Sequence, residues 1–166
     1  MSGIVKPFAM PFSHDHTQLL LQLSTITPLS ESFQQRLRRQ LLTENFVQRT
    51  LLLRPGEIAK RVYYIKSGFL RGYFTGEDGK EHTTWFVGQG DILLSVHSFF
   101  SQSPSPEYIE VLQDCTLQSI NWLELQSYYA DFKEGNLIGR MFIEKYLILS
   151  EQRNHLLRNT VRAKRY

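Results

Sequence analysis

The sequence predicts a mainly β domain with helices at both ends: a small barrel or sandwich followed by one long C-terminal helix. Three observations carry this. Short β-rich runs bounded by glycine turns recur between residues 46 and 122, at the ~8–12-residue spacing of sandwiches and barrels. Amphipathic helical patterns precede them. A stretch from about Glu134 to Arg165 then runs without proline.

The elements follow in order. Residues 1–26 form a lead-in arm, with Pro7, Pro11, His14 and His16, ending in a short helix that contains Leu19, Leu20, Leu21, Leu23 and Ile26. No further metal ligands accompany His14 and His16, so that pair does not specify a metal site. Ser30 is suited to cap a second helix and Glu31 to its first turn. Leu29, Phe33, Leu37 and Leu41 repeat every four residues and define its apolar face, leaving Arg36, Arg38 and Arg39 for solvent. The predicted strands are Phe46–Leu53, Val62–Ile65, Phe69–Phe74, Glu81–Val87, Asp91–Leu94, Tyr108–Leu112 and Thr116–Trp122. Turns at Pro55-Gly56, Ser67-Gly68, Gly76–Gly79 and Gly88–Gly90 separate them, with glycine supplying positive φ. Residues 95–106 read as a loop, and 122–131 as a short helix.

The last helix carries Leu137, Ile138, Met141, Phe142, Tyr146, Leu149, Leu156 and Leu157. Thirty helical residues span about 45 Å, longer than a small barrel can cover. Self-association along Leu137, Ile138, Met141, Phe142, Lys145, Leu149 and Leu156 is the economical way to cover the rest, which predicts a homodimer. Lys145 and Gln152 interrupt a strict heptad, so packing of this helix on its own barrel stays open. After Glu151 there are only basic charges, Arg153, Arg158, Arg162, Lys164 and Arg165, as the dipole at a helix C-terminus favours.

Composition narrows the functional classes. The 166 residues are 42% hydrophobic and 21% charged, which are globular values. A net charge of +3 is too small to imply nucleic acid by itself. The single cysteine, Cys115, excludes an internal disulfide and reads as a small buried hydrophobe. No segment approaches the ~18 apolar residues of a membrane span, and no signal-peptide core is visible; the expectation is a soluble, cytoplasmic protein without membrane partners. Nucleophile elbows, phosphate loops and Cys/His pairs are missing, so an enzyme is not predicted. A cupin-type metal site needs a His-x-His pair, whereas the strand here reads Glu81-His82-Thr83-Thr84, with His97 and His155 far along the chain. Glu57, Asp91 and Asp114 fall at turns, where backbone capping accounts for them.

Four marks occur in order: Leu53-Arg54-Pro55-Gly56-Glu57; Val62-Tyr63-Tyr64-Ile65-Lys66-Ser67-Gly68-Phe69-Leu70-Arg71; Gly79-Lys80-Glu81; and Gly88-Gln89-Gly90-Asp91. Together they resemble the cyclic-nucleotide-binding domain of the Crp-Fnr superfamily of transcription regulators, over residues 27–166. The resemblance implies a double-stranded β-helix, or jelly-roll, barrel over 27–132. It also implies a dimerisation helix over 133–166 that leads towards a DNA-binding helix-turn-helix, which this chain does not contain; DNA would be reached only through that domain.

In the family, the segment after the Gly-Asp turn cradles a cyclic phosphate at a short helix, a glutamate binds the ribose, and an Arg-Ser pair holds the phosphate. Here the glutamate's place falls on Ser95, after Leu94, and the arginine's on Ser105, before Pro106. The segment Ser101–Glu107 has no cation, and Glu107 and Glu110 would repel a phosphate. Cyclic nucleotide is therefore disfavoured as a ligand. The candidate pocket comprises Gly90, Leu94, Ser95, Val96, His97, Ser98, Ser105, Pro106, Glu107 and Tyr108, open to an unknown neutral or cationic effector. A ligand-free dimeric interaction module is the alternative.

Overall fold

A computed structural model describes residues 16–163, with side chains through residue 155. Residues 1–15, including His14, lie outside the described residues, as do the side chains of Leu156, Leu157, Arg158, Arg162, Lys164 and Arg165.

Two short helices open the chain, α1 (Thr17–Ser24) and α2 (Glu31–Gln40). The Ser30 hydroxyl accepts a hydrogen bond from the Phe33 N–H at 3.3 Å, which places the α2 cap where the sequence puts it. Phe33 and Leu37 are buried, as the four-residue repeat requires. Arg36 has a partner beyond solvent: its guanidinium pairs with Asp131 and lies 4.6 Å from the Phe132 ring centroid.

Six antiparallel strands follow: β1 (Leu42–Phe46), β2 (Leu51–Leu53), β3 (Arg61–Thr75), β4 (Glu81–Gly88), β5 (Ile92–Leu93) and β6 (Tyr108–Asn121). Their order is β1-β6-β3-β4, with β2 also on β6 and β5 also on β3. The single run read over 46–53 is thus two strands, divided by a turn in which Arg49 takes φ +71°. Conversely, 62–65 and 69–74 join into one 15-residue strand, and 108–112 and 116–122 join into β6.

Gly68 splits the first pair in the sequence pattern, and Gln113-Asp114-Cys115 opposite it splits the second, but the glycine bends the ladder without ending it. The β3–β6 register shifts between Ile65 and Leu70. At its centre Gly68 has φ +106°, and a Cβ there would lie 2.3 Å from the Cys115 Cβ. Such irregularities sharpen strand twist, so the long β3–β6 ribbon folds over itself. Tyr63 and Tyr64 of β3 then pair β5, while Phe69–Thr75 pair β4. This is the jelly-roll.

Two cores result. Ile65, Leu70, Phe99, Val111, Cys115 and Leu117 fill the barrel. The second joins the outer face to the helices: Tyr64 and Ile120 meet Leu19, Leu23, Phe33, Leu37, Tyr128 and Ile138. Successive strand residues point to opposite faces, so Tyr64 serves one core and Ile65 the other.

Residues 95–106, read as a loop, contain a short helix α3 (Val96–Ser101) that inserts Phe99 into the barrel at 0% exposure. Then α4 (Trp122–Asp131) starts with a capping box: the Asn121 side chain accepts from the Glu124 N–H at 2.8 Å, and Glu124 accepts from the Asn121 N–H at 2.7 Å. The long α5 (Lys133–Ala163) packs its first two turns on α4. Among the described residues no helix is long and apolar enough to cross a membrane.

Candidate functional site

Strand β5 leads into α3 and β6 follows it, so the candidate pocket is bracketed by barrel strands. Ser95 stands just before α3, its side chain making no cap hydrogen bond, and is 2% exposed; Ser105 lies just before β6 at 3%. Their hydroxyls stand 3.4 Å apart. The Ser95 hydroxyl donates to Glu107 Oε1 at 2.9 Å, and the Trp85 indole N–H donates to Glu107 Oε2 at 3.1 Å. Ser105 Oγ accepts from the Glu107 N–H and lies 3.1 Å from the Glu107 carbonyl. Ser105 is fixed further by its backbone, whose N–H donates to the Glu57 carbonyl at 2.8 Å and whose carbonyl accepts from the Gly56 N–H at 2.9 Å.

The structure therefore brings Ser95, Ser105 and Glu107 into one network. A carboxylate is an acceptor-only group, and here both its oxygens are served by protein donors. Glu107 thereby occupies the Ser95 hydroxyl and the Trp85 N–H as donors. Trp85 is the member the sequence reading missed. Its ring lies against Gly72 of β3, where a Cβ would come within 2.1 Å of the indole. A glycine facing a tryptophan across paired strands was the available signal.

The remaining candidates disperse. Ser98 is fully buried, accepts from the Ala59 N–H at 2.9 Å and donates to the Ser103 carbonyl at 2.6 Å, so it fastens α3 to the loop before β3. His97 is exposed, with Nε2 3.3 Å from the Ser103 hydroxyl. Gly90, at φ +86°, makes the turn into β5 and receives the Gln22 amide on its carbonyl at 2.8 Å. Leu94 and Val96 are half-buried and Pro106 is exposed. Tyr108 stacks on Tyr73 with ring centroids 4.7 Å apart.

Beside Ser95 a cavity of about 580 Å³ opens between Leu94–Ser95, the end of β2 and the segment Gly56–Arg61. Its cations are Lys60 and Arg61, and the Arg61 guanidinium already donates to the Ser119 hydroxyl at 2.8 Å. Arg71 is equally committed: it bonds Glu110 and Glu81 and lies 4.2 Å from the Tyr73 ring centroid. Two of the turn carboxylates are local caps, Glu57 accepting from the Arg54 N–H and Asp91 from Gly88. Asp114, read as a turn residue, instead lies within β6, because 108–112 and 116–122 join into one strand, and accepts from the Gln48 N–H far along the chain. Cys115 is 4% exposed, and burial pushes its thiol up to about 11. Among the described residues no group of three His, Cys, Asp or Glu side chains is placed to hold a metal ion.

On α5 the predicted dimer residues divide. Ile138 is buried in the helix–barrel core, Phe142 packs half-buried beside it, and Leu137 is half-buried. Met141, Lys145 and Leu149 are exposed, together with Tyr146, Leu147 and Ile148.

Comparison with known proteins fits this architecture. The sensor domain of the transcriptional regulator DNR from Pseudomonas aeruginosa is similar at 20% identity, over 84% of this chain and 91% of that one, with a TM-score of 0.66. A CooA mutant from Carboxydothermus hydrogenoformans is similar at 20% identity, over 90% of both chains, at 0.62. The catabolite activator protein of Thermus thermophilus is similar at 14% identity, over 88% of this chain, at 0.62; this chain spans only 61% of that protein's length. At these identities the likeness is one of fold. No curated protein matches the sequence. The model of the cyclic nucleotide-binding domain matches residues 43–132, more than half the chain, and the protein belongs to that family.

Proposed function

We propose that the chain is the effector-sensing, dimerising part of a Crp-Fnr-type transcription regulator, and that it does not take cyclic nucleotide in the family's usual way. The observation that carries this is the Glu107 carboxylate, bonded to Ser95 and Trp85 where a cyclic phosphate would need donors. Placing a second anion there sets two negative charges in a partly buried site, and like charges close together disfavour each other strongly. The regulator reading is supported by the similar structures, among them a transcriptional regulator's sensor domain and a catabolite activator protein. The dimer reading is supported by Met141, Leu147 and Ile148, apolar side chains 43–58% exposed on α5. DNA contact, in this reading, belongs to another domain of the regulator.

Calorimetric titration with cAMP and cGMP tests the ligand part. The expected result is no saturable heat at millimolar nucleotide. Micromolar binding that is lost in Ser95→Trp overturns it. Light scattering tests the dimer: two chains per particle are expected at micromolar concentration, and a monomer at high micromolar concentration overturns it.

A further inference from the structure

Outside the barrel, between β4–β5 and helices α1, α4 and α5, runs a cleft of about 680 Å³. That volume is in the ~300–1,000 Å³ range of small-molecule sites. Its walls are largely apolar, with Leu19 and Leu23 on one side and Ile138 and Phe142 on the other. Further along α5, Tyr146 and Leu149 border the same cleft yet remain 48% exposed. Apolar surface left open in this way favours an apolar occupant.

The charges at the cleft have one sign to spare. Asp91, Lys145 and Arg153 are its charged lining residues. The Asp91 carboxylate accepts from the Gly88 N–H at 2.9 Å and is committed to its turn. Lys145 forms no ion pair among the described residues, and Arg153 donates to the neutral Thr84 carbonyl at 3.3 Å. Lys145, Leu149 and Arg153 are four residues apart, so both cations share one stripe of α5. A further polar group borders the cleft without a partner: Tyr128 is 2% exposed and its hydroxyl has no hydrogen bond. No His, Cys or Met is among the described lining residues, so the walls offer a ligand no soft or imidazole metal coordination.

We propose that this cleft binds a free fatty acid, its chain lying between α1 and the start of α5 and its carboxylate at Lys145 and Arg153. An apolar body answers the walls, and one anionic end answers the two uncompensated cations. The proposal deepens the sensor reading by naming the effector's chemistry, and it is tested by binding alone. Failure here leaves the results with cyclic nucleotide and the oligomeric state untouched.

The full chain is titrated with dodecanoate and, separately, with dodecanol, followed by calorimetry. Saturable binding of one dodecanoate per chain is expected, at least tenfold tighter than dodecanol. Lys145→Glu combined with Arg153→Glu should weaken dodecanoate at least tenfold and leave dodecanol unchanged, with the circular dichroism spectrum preserved. Leu149→Trp, at an exposed position, should weaken both. The proposal is overturned if dodecanoate does not saturate, if the charge-reversed variant binds it as well as the wild type, or if binding disappears at concentrations where two chains associate, since a second copy would then be the occupant.

Discussion

Tyr64 and Ile65 are neighbours in β3, but they face interiors of different kinds. On the Ile65 side the barrel is filled, apart from the cavity beside Ser95. Ile65, Leu70, Phe99 and Val111 are fully buried, and the polar groups at its rim, Ser95, Ser98, Ser105 and Glu107, find partners within the chain. On the Tyr64 side, the helices bury Tyr64, Ile120, Phe33 and Leu37 but leave a cleft between α1 and α5. Beyond Phe142 the wall of the cleft is half exposed. The barrel side is the one where the resemblance to the cyclic nucleotide-binding family implies a ligand, and the open side is where this chain has unmet surface. The contrast can be attacked by substitution, and the effects should differ in size.

The largest effect belongs to Phe99→Ala. This ring enters the barrel from α3 at 0% exposure and meets Phe100 edge-on at 5.4 Å. Truncating a buried phenylalanine leaves a cavity and costs ~3–5 kcal/mol. Urea denaturation should show that loss; a loss below about 1 kcal/mol would mean that Phe99 does not fill the barrel.

A second probe of the barrel needs no volume change. The Cys115 thiol is raised from 9.0 to about 11 by burial. Below pH 9 it is protonated whether the chain is folded or not. Above pH 9 the unfolded chain ionises first, so the folded state loses stability between pH 9 and about 11. The loss is on the order of 2 kcal/mol, at 1.36 kcal/mol per unit. Denaturation midpoints measured across that window should fall in the wild type and fall less in Cys115→Ala. Alkylation of the native protein at pH 8 should be slow for the same reason.

Glu107→Ala should cost about 1–2 kcal/mol, because the Ser95 hydroxyl and the Trp85 N–H lose their acceptor in a partly buried site. It should also let inorganic phosphate shift the melting temperature, which it should not do in the wild type. If the variant is as stable as the wild type, the network is not what closes this pocket.

Much of this contrast was legible in the sequence, and the illegible part has physical causes. Ser30, Phe33 and Leu37 announced α2 because capping and four-residue repeats are local. The barrel was legible because its turns use glycine. Its long strands were not, because Gly68 marks a bulge as readily as a turn, and only the pairing with Cys115 decides which. Phe99 lay in a serine-rich stretch that reads as loop; its helix is six residues long and held by Ser98, which bonds to Ala59 far along the chain. The absence of family ligands at Ser95 and Ser105 could be counted off the sequence. That Glu107 would turn inward to bond Ser95 and Trp85 could not, since the contacts span 12 and 22 residues. The cleft was the least visible, being built from α1, two strand ends, α4 and α5.

On the open side the effects should be smaller. Ser30→Ala removes the α2 cap and, with it, a bond that ties α2 to α5, for Glu134 accepts from both the Ser30 N–H and its hydroxyl. Loss of an N-cap serine costs ~1 kcal/mol. The Ser30 hydroxyl also holds the Glu134 carboxyl below the usual range, so the variant should raise that titration, which carbon-detected NMR can follow.

Smallest of all should be Ile148→Ser. This residue is as apolar as Ile65 but 58% exposed, against 0% for its counterpart in the barrel. Its truncation removes no buried contact, so unfolding at low protein concentration should move by no more than about 0.5 kcal/mol. Association is a different matter. If Ile148 is covered by a second chain, the hydroxyl is carried into an apolar interface and the dimer weakens, which makes apparent stability depend on concentration. Denaturation of wild type and variant at two protein concentrations separates these readings. Equal midpoints at low concentration with a deficit only at high concentration would show that the outer surface of α5 is completed between chains. A large deficit at both would show that Ile148 already packs within one chain, and the division between a filled barrel and an open helix would have to be withdrawn.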